Sequence, residues 1–228
     1  MSAPGHPLAA PAGSVSEQGP LRRVVLASGN AGKLREMQAL LAPTGIELVA
    51  QGTLGVPDAP EPYATFLENA LTKARHASRL TGLPGLADDS GVCVSALGGA
   101  PGVRSARYAC ETDEAPRSDA ANNARLIEAL TGAPDRSAYF YCVLVLVRSA
   151  DDPQPVVADG LWHGEIVAEP RGAGGFGYDP HFLVAGMGRT AAQLDAATKN
   201  QFSHRAQAMR DLMARLLQAR LIADRTGS

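Results

Sequence analysis

RRVVLASGNAGKLREMQALL, residues 22–41, is the stretch whose pattern decides the fold. Arg22 to Ser28 is short, β-branched at Val24 and Val25, and ends at Gly29, which is how a buried strand reads. From about Gly32 the period changes. Leu34, Met37, Leu40 and Leu41 fall on one face of a helix that Pro43 and Gly45 stop. A strand that feeds a helix through a glycine-containing turn is the opening unit of an α/β chain.

The segments on either side continue the alternation. Ile46 to Ala50 reads as a second strand, and Gly55 to Pro62 as a Pro-rich loop holding Asp58 and Glu61. Thr65 to Glu68 has the capping-box pattern and opens a helix to about Leu80. Leu86 to Asp88 and Val92 to Leu97 read as two short strands around an Asp-Ser-Gly turn. Asp119 to Leu130 is a helix with Leu126, Ile127 and Leu130 inward, and Tyr139 to Val147 is a nearly continuous apolar strand, hence central. Val156 to Val167 predicts a hairpin, or two strands broken near Gly160. Gly172 to Tyr178 is too glycine-rich for a helix. Ser203 caps a long final helix to about Ile222, with Ala206, Met209, Leu212, Met213 and Leu216 on its core face. Interleaved elements predict an α/β fold with a long central mixed sheet flanked by helices.

At 228 residues the chain can bury a substantial core. Its 21 basic and 23 acidic residues give a net charge of −2 with no basic stripe, which argues against nucleic acid as a partner. No apolar run approaches the roughly 20 residues of a membrane span, the run that ends at Val143 to Val147 included. Cys93, Cys110 and Cys142 form neither a disulfide framework nor a zinc pattern and read as reduced thiols of a cytoplasmic protein. Residues 1–20, rich in Pro and Gly, lack the basic start and apolar centre of a signal peptide and predict a disordered tail ahead of one domain, 21–228.

Four segments carry chemistry. In Gly85-Leu86-Ala87-Asp88-Asp89-Ser90-Gly91 two adjacent carboxylates repel each other and are costly to desolvate; a hard cation such as Mg²⁺ is the usual compensation, although Asp-Ser-Gly is also ordinary turn chemistry. Ser28, Gly29, Asn30, Ala31, Gly32 and Lys33 join the first strand to the first helix, where backbone N–H groups and the helix dipole favour phosphate. This is no Walker A loop, since Leu34 replaces the hydroxyl residue that must follow the lysine. Phe176, Gly177, Tyr178 and Asp179 place two aromatic rings on a loop, suited to stacking on a nucleobase or to one ring packing in the core. Ser203-His204-Arg205, with Lys199 upstream, puts cations in a helix's first turn against the macrodipole, a local conflict that marks a site. On the helix from Thr65, Glu68 either completes its cap or faces a metal, and Lys73 reaches for phosphates.

Taken together, SGNAGK (28–33), TFLENALTKARHAS (65–78), LADDSGVCVSALGGAPGVRSARYA (86–109), GGFGYDPHF (174–182) and SHR (203–205) resemble the inosine triphosphate pyrophosphatase family, enzymes that clear non-standard purine nucleotides from the nucleotide pool. The resemblance implies two lobes with a substrate cleft between them, a homodimer, and Mg²⁺-dependent hydrolysis of dITP, ITP and XTP to the monophosphate and pyrophosphate. It implies Asp89 as general base and metal ligand, Ser90 as a substrate contact, and Phe176 to Asp179, Lys199, His204 and Arg205 around the base. Glu61 matches the second metal carboxylate, although Pro60-Glu61-Pro62-Tyr63 stands where the family has Glu-Thr-Gly. The competing readings are a Maf-like nucleotide pyrophosphatase of other specificity and a nucleotide-binding module without activity.

Overall fold

A computed structural model of the chain describes residues 19–29, 31–112 and 115–223, and of Ala31 the backbone alone. Asn30 and most of the expected tail, residues 1–18, therefore lie outside the described residues. The elements run β1 (Arg23–Leu26), α1 (Ala31–Leu41), β2 (Glu47–Ala50), α2 (Phe66–Thr81), β3 (Gly85–Val94), α3 (Asp119–Ala129), β4 (Ser137–Val147), β5 (Val156–Ile166), β6 (Phe182–Val184), α4 (Ala196–Phe202) and α5 (His204–Gln218). The strands form one mixed sheet in the order β2-β1-β3-β4-β5-β6, parallel from β2 to β3 and antiparallel beyond. No helix among the described residues is long and apolar enough to cross a membrane.

Two expectations are corrected. Asp88 to Gly91 is not a turn between two strands: all ten residues of β3 pair with β4, from Gly85 opposite Val147 to Val94 opposite Ala138. The apolar strand β4 offers a complete ladder, and pairing along it outweighs the local turn preference of Asp-Ser-Gly. Nor does β5 break at Gly160. A Cβ there would lie 2.2 Å from the His204 carbonyl oxygen and 2.6 Å from the Ala208 nitrogen, so the glycine lets α5 lie directly on the strand.

β3, β4 and β5 are long enough to pass through two separately packed halves. Around one half, α1 and α5 cover one sheet face through Met37, Leu41, Met209, Leu212 and Leu216 against Leu26, Leu86 and Leu144. The small residues Ala70, Ala74 and Ala77 of α2 cover the other face against Val25, Ala87, Val143 and Val145. The second half packs Leu126, Phe140, Trp162, Tyr178 and Phe182 into its own cluster. The three cysteines are buried and free. α5 ends at Gln218, earlier than its apolar pattern suggests, and the Leu21 N–H then donates to the Leu221 carbonyl at 2.7 Å, tying the start of the fold to its end.

Candidate active site

Because successive side chains of a strand point to opposite faces, β3 sends its two carboxylates apart. Asp88 faces α1 and α5: Lys33 Nζ is 2.8 Å from its Oδ2, and Arg205 Nη2 is 3.6 Å away. Asp89 faces α2: Lys73 Nζ is 2.8 Å from its Oδ1, and Asn69 Nδ2 is 3.5 Å from its Oδ2. The repulsion expected of adjacent carboxylates is thus relieved by one lysine on each side. Ser90, on the Asp88 face, donates to Asp88 at 3.1 Å and accepts from Arg205 Nη2 at 3.2 Å.

The two environments push the carboxyls in opposite directions. Burial tends to raise Asp88, but Lys33, Arg205 and Lys73 outweigh it and hold this carboxyl well below the usual carboxylate range. Burial dominates at Asp89, with Glu61 adding to it, and Lys73 does not fully compensate, so this carboxyl is raised. Divergent neighbours of this kind separate an acid/base group from a permanently charged one. Lys73 is itself held above its ordinary value: burial alone would lower it, but Asp89, Asp88 and Glu61 together prevail.

A cleft of about 610 Å³ opens over this arrangement, lined by Ser28, Gly29 and Lys33 at the start of α1, by Glu61, Lys73, Asp88 and Asp89, and by Arg107 and Arg117. Glu61 comes from a segment without regular structure, yet several contacts fix it. Its Oε1 lies 3.5 Å from Lys73 Nζ, and Arg107 reaches both its Oε2, at 3.5 Å, and its main-chain oxygen, at 3.1 Å. Buried Asn69 accepts from the Tyr63 N–H and donates to the Tyr63 carbonyl, at 3.0 and 3.1 Å. Glu68 is not brought into the cleft. It is exposed and takes the Thr65 hydroxyl at 2.6 Å while Thr65 accepts the Glu68 N–H, a reciprocal pairing like that of a capping box.

A smaller cavity of about 160 Å³ adjoins the cleft, sharing Lys33, Ser90 and Ala106 with it. Its walls include Phe176, Gly177, Tyr178, Asp179, Lys199, His204 and Arg205. The two loop rings differ in exposure. Phe176 is half-buried with Lys199 Nζ 4.9 Å and the Arg205 guanidinium 5.9 Å from its centroid. Tyr178 packs in the core and donates to the Ser105 carbonyl at 2.8 Å. Asp179 organises the loop, accepting from Lys199 at 2.6 Å and from the Phe176 N–H at 2.9 Å; burial raises its carboxyl despite these partners. His204 stacks on Phe140 at 4.8 Å with 12° between the planes, and its Nδ1 is buried without a hydrogen-bond partner among the described residues. Burial, then Arg205, Lys199 and Lys33, push this imidazole well below its ordinary 6.5, so it is neutral.

The cations at the start of α5 have a partner that the sequence reading missed. Glu36 of α1 bonds Arg205 Nη1 and stands 3.7 Å from Lys199 Nζ. Lys33 and Glu36 are three residues apart on one helix face, a spacing that could have flagged the pair. Arg107 and Asn69 were also missed as site residues; their partners come from 46 and 20 residues away, a separation that leaves no local sequence signal. Gly32 lies in the first turn of α1, and Ala31 and Asn30 add no described side chain.

No group of three or more His, Cys, Asp and Glu arranged to hold a metal occurs among the described residues. Asp89 and Glu61 do converge on one ammonium, Lys73. Two carboxylates beside an open cleft suit Mg²⁺, which takes few protein oxygens and completes its shell with water and phosphate.

Comparison with known proteins shows what the chain is similar to. A dITP/XTP pyrophosphatase of Ralstonia nicotianae is 64% identical over 196 residues, spanning 86% of this chain and 97% of that protein. One of Burkholderia pseudomallei is 64% identical over 194 residues, 85% and 93% of the two chains. The structure of a HAM1 protein from Coxiella burnetii superposes with a TM-score of 0.79 at 49% identity, covering 87% of this chain and all of that one. A dITP/XTP pyrophosphatase structure from Mycobacterium abscessus gives 0.66 at 40% identity, covering 85% and 99%. The model of the Ham1 family matches residues 24–215, and the chain belongs to that family.

Proposed function

We propose that this chain hydrolyses dITP, ITP and XTP to the monophosphate and pyrophosphate, with the triphosphate in the larger cleft and the purine in the smaller cavity. The observation that carries this reading is the junction of the two spaces at Ser90 and Lys33, with a basic, carboxylate-bearing cleft on one side and an aromatic, cation-lined pocket on the other. Relatives named for dITP and XTP hydrolysis support it.

Hydrolysis of a phosphoanhydride calls for charge neutralisation, alignment and an activated water. The N-terminus of α1 presents backbone N–H groups to phosphate, and Lys33 and Lys73 add charge. Asp89 accepts the proton of the attacking water as its oxygen bonds to phosphorus, and the electron pair of the broken P–O bond leaves on the departing product. General-base assistance of this kind is worth about 10²–10⁴ in rate. Asp89 and Glu61 are the residues that would hold Mg²⁺, which when bound neutralises phosphate oxygens. Phe176 stacks on the base, and donors around the pocket meet the 6-oxo group of hypoxanthine or xanthine; adenine's amino group leaves those donors unpaired, at a loss of about 1–3 kcal/mol.

The protein acts as a cytoplasmic homodimer on this reading, with neither nucleic acid nor membrane as partner. Pyrophosphate release from ITP, XTP, GTP, ATP, dUTP and dTTP, with and without Mg²⁺, tests it. Preference for ITP and XTP that requires Mg²⁺ is expected. A pyrimidine preference would favour a Maf-like enzyme, and ITP binding without turnover would favour a binding module.

A further inference from the structure

We infer that α3 sets the aperture of the small cavity, with Asp119 and Asn123 as positioning residues for base selection. This rests on that cavity being the base pocket. Asp119, Asn122 and Asn123 are three and four residues apart, so they share one face of the helix. That face grips both walls of the cavity by their backbones. Asp119 Oδ2 accepts the Gly177 N–H at 2.7 Å, and Asn123 Nδ2 donates to the Gly177 carbonyl at 3.0 Å. On the opposite wall Asn122 accepts the Ala109 N–H at 2.8 Å and donates to the Ala106 carbonyl at 3.2 Å. Gly177 and Ala106 both line the cavity.

The grip matters because Asp179 fastens the Phe176 end of the Gly177 wall, through the Phe176 N–H, while the Gly177 N–H and carbonyl are left to α3. That wall belongs to no helix or strand, and Gly177 holds a φ of 61°, a conformation that glycine adopts at low cost and leaves as easily. Both polar groups of that one peptide residue are held by α3, and Phe176, the stacking ring, is its immediate neighbour. One rigid helix therefore spans the two walls, and the gap between them follows from its geometry. Discrimination against a purine with a different 2-substituent depends on that gap staying fixed.

The sign of each hydrogen bond gives a test that a general role in folding would not reproduce. Asp119→Asn keeps an oxygen that accepts from the Gly177 N–H, whereas Asn123→Asp removes the donor and sets a carboxylate against a carbonyl. Steady-state kinetics with ITP and GTP, together with inhibition by inorganic pyrophosphate, read the two spaces separately. Asn123→Asp is expected to raise KM for ITP roughly tenfold and to narrow the preference for ITP over GTP, with kcat and the pyrophosphate inhibition constant unchanged; Asp119→Asn stays within about threefold of wild type. An unchanged KM and preference in Asn123→Asp, or an equal loss in pyrophosphate affinity, overturns the inference. If Asn123→Asp lacks a cooperative thermal transition, Asn123→Ala serves, with the same direction and a smaller shift. Failure of the underlying reading shows separately, as a wild-type enzyme that does not distinguish ITP from GTP or ATP.

Discussion

Lys73 Nζ lies 2.8 Å from Asp89 Oδ1 and 3.5 Å from Glu61 Oε1, so one ammonium bridges a carboxylate fixed in a strand and one carried by a loop. The bridge joins the Pro-rich segment to the sheet at the point where the cleft is deepest in charge.

Asp89→Asn is expected to lower kcat for ITP by about 10²–10⁴ while leaving the fold intact, because the amide cannot take a proton from water. Initial rates and a thermal melt together check this. A variant with wild-type turnover would remove Asp89 from the base role.

Asp88→Asn is expected to act mainly on stability. Its carboxylate is 1% exposed between Lys33 and Arg205, and losing the charge removes one of the two carboxylates that face the buried Arg205 guanidinium, Glu36 being the other. A cost below the roughly 3–5 kcal/mol of a fully orphaned buried charge follows, measured by urea unfolding, with a smaller loss of kcat than in Asp89→Asn.

His204 gives the stability a pH dependence. Its folded value lies far below 6.5, so in acid the unfolded chain takes up a proton that the native state refuses. Stability therefore falls as pH drops below about 6.5, by up to about 1.4 kcal/mol per pH unit from this group. Asp88 opposes the shift and Arg205, Lys199 and Lys33 reinforce it. Unfolding of wild type and His204→Asn between pH 7.5 and 5, compared by slope, checks the contribution; equal slopes would refute it.

Phe176→Ala is expected to raise KM for ITP, since stacking of a base on an aromatic ring contributes about 1–3 kcal/mol, with little change in kcat. Tyr178→Phe, which removes only the bond to the Ser105 carbonyl, should act chiefly on melting temperature.

Gly160→Ala is expected to destabilise by about 1–3 kcal/mol or more, because its Cβ meets the backbone of α5 rather than a side chain that can turn aside. In a chain of this length that lowers the melting temperature by roughly 2–4 °C per kcal/mol.

Elements with long, regular patterns were legible in the sequence: β4 from its unbroken apolar run, α2 from its capping box, α5 from Ser203 and its core stripe. β6 and α4 were not, because three and seven residues carry too little periodicity to stand out. Asp88 to Gly91 and Gly160 misled for one reason: turn-forming and glycine residues were assigned by local preference, while strand pairing and the approach of α5 decide their conformation. The sequence brought the lysines, the loop rings and the start of α5 forward as candidates. It offered the Thr65 cap as one of two roles for Glu68, and it did not reveal Glu36, Arg107 or Asn69 as partners.

The ladder between β3 and β4 has one more consequence. Asp88 and Asp89 are identical side chains a single residue apart, and only odd or even placement along the strand tells them apart. A slip of one residue against β4 would carry Asp88 to Lys73 and Asp89 to Lys33, exchanging proton acceptor and buttress without changing any residue. Insertions or deletions between Gly85 and Asp88 are therefore expected to be as damaging as loss of a carboxylate. Most sites distinguish like groups by where they lie; this one distinguishes them by parity.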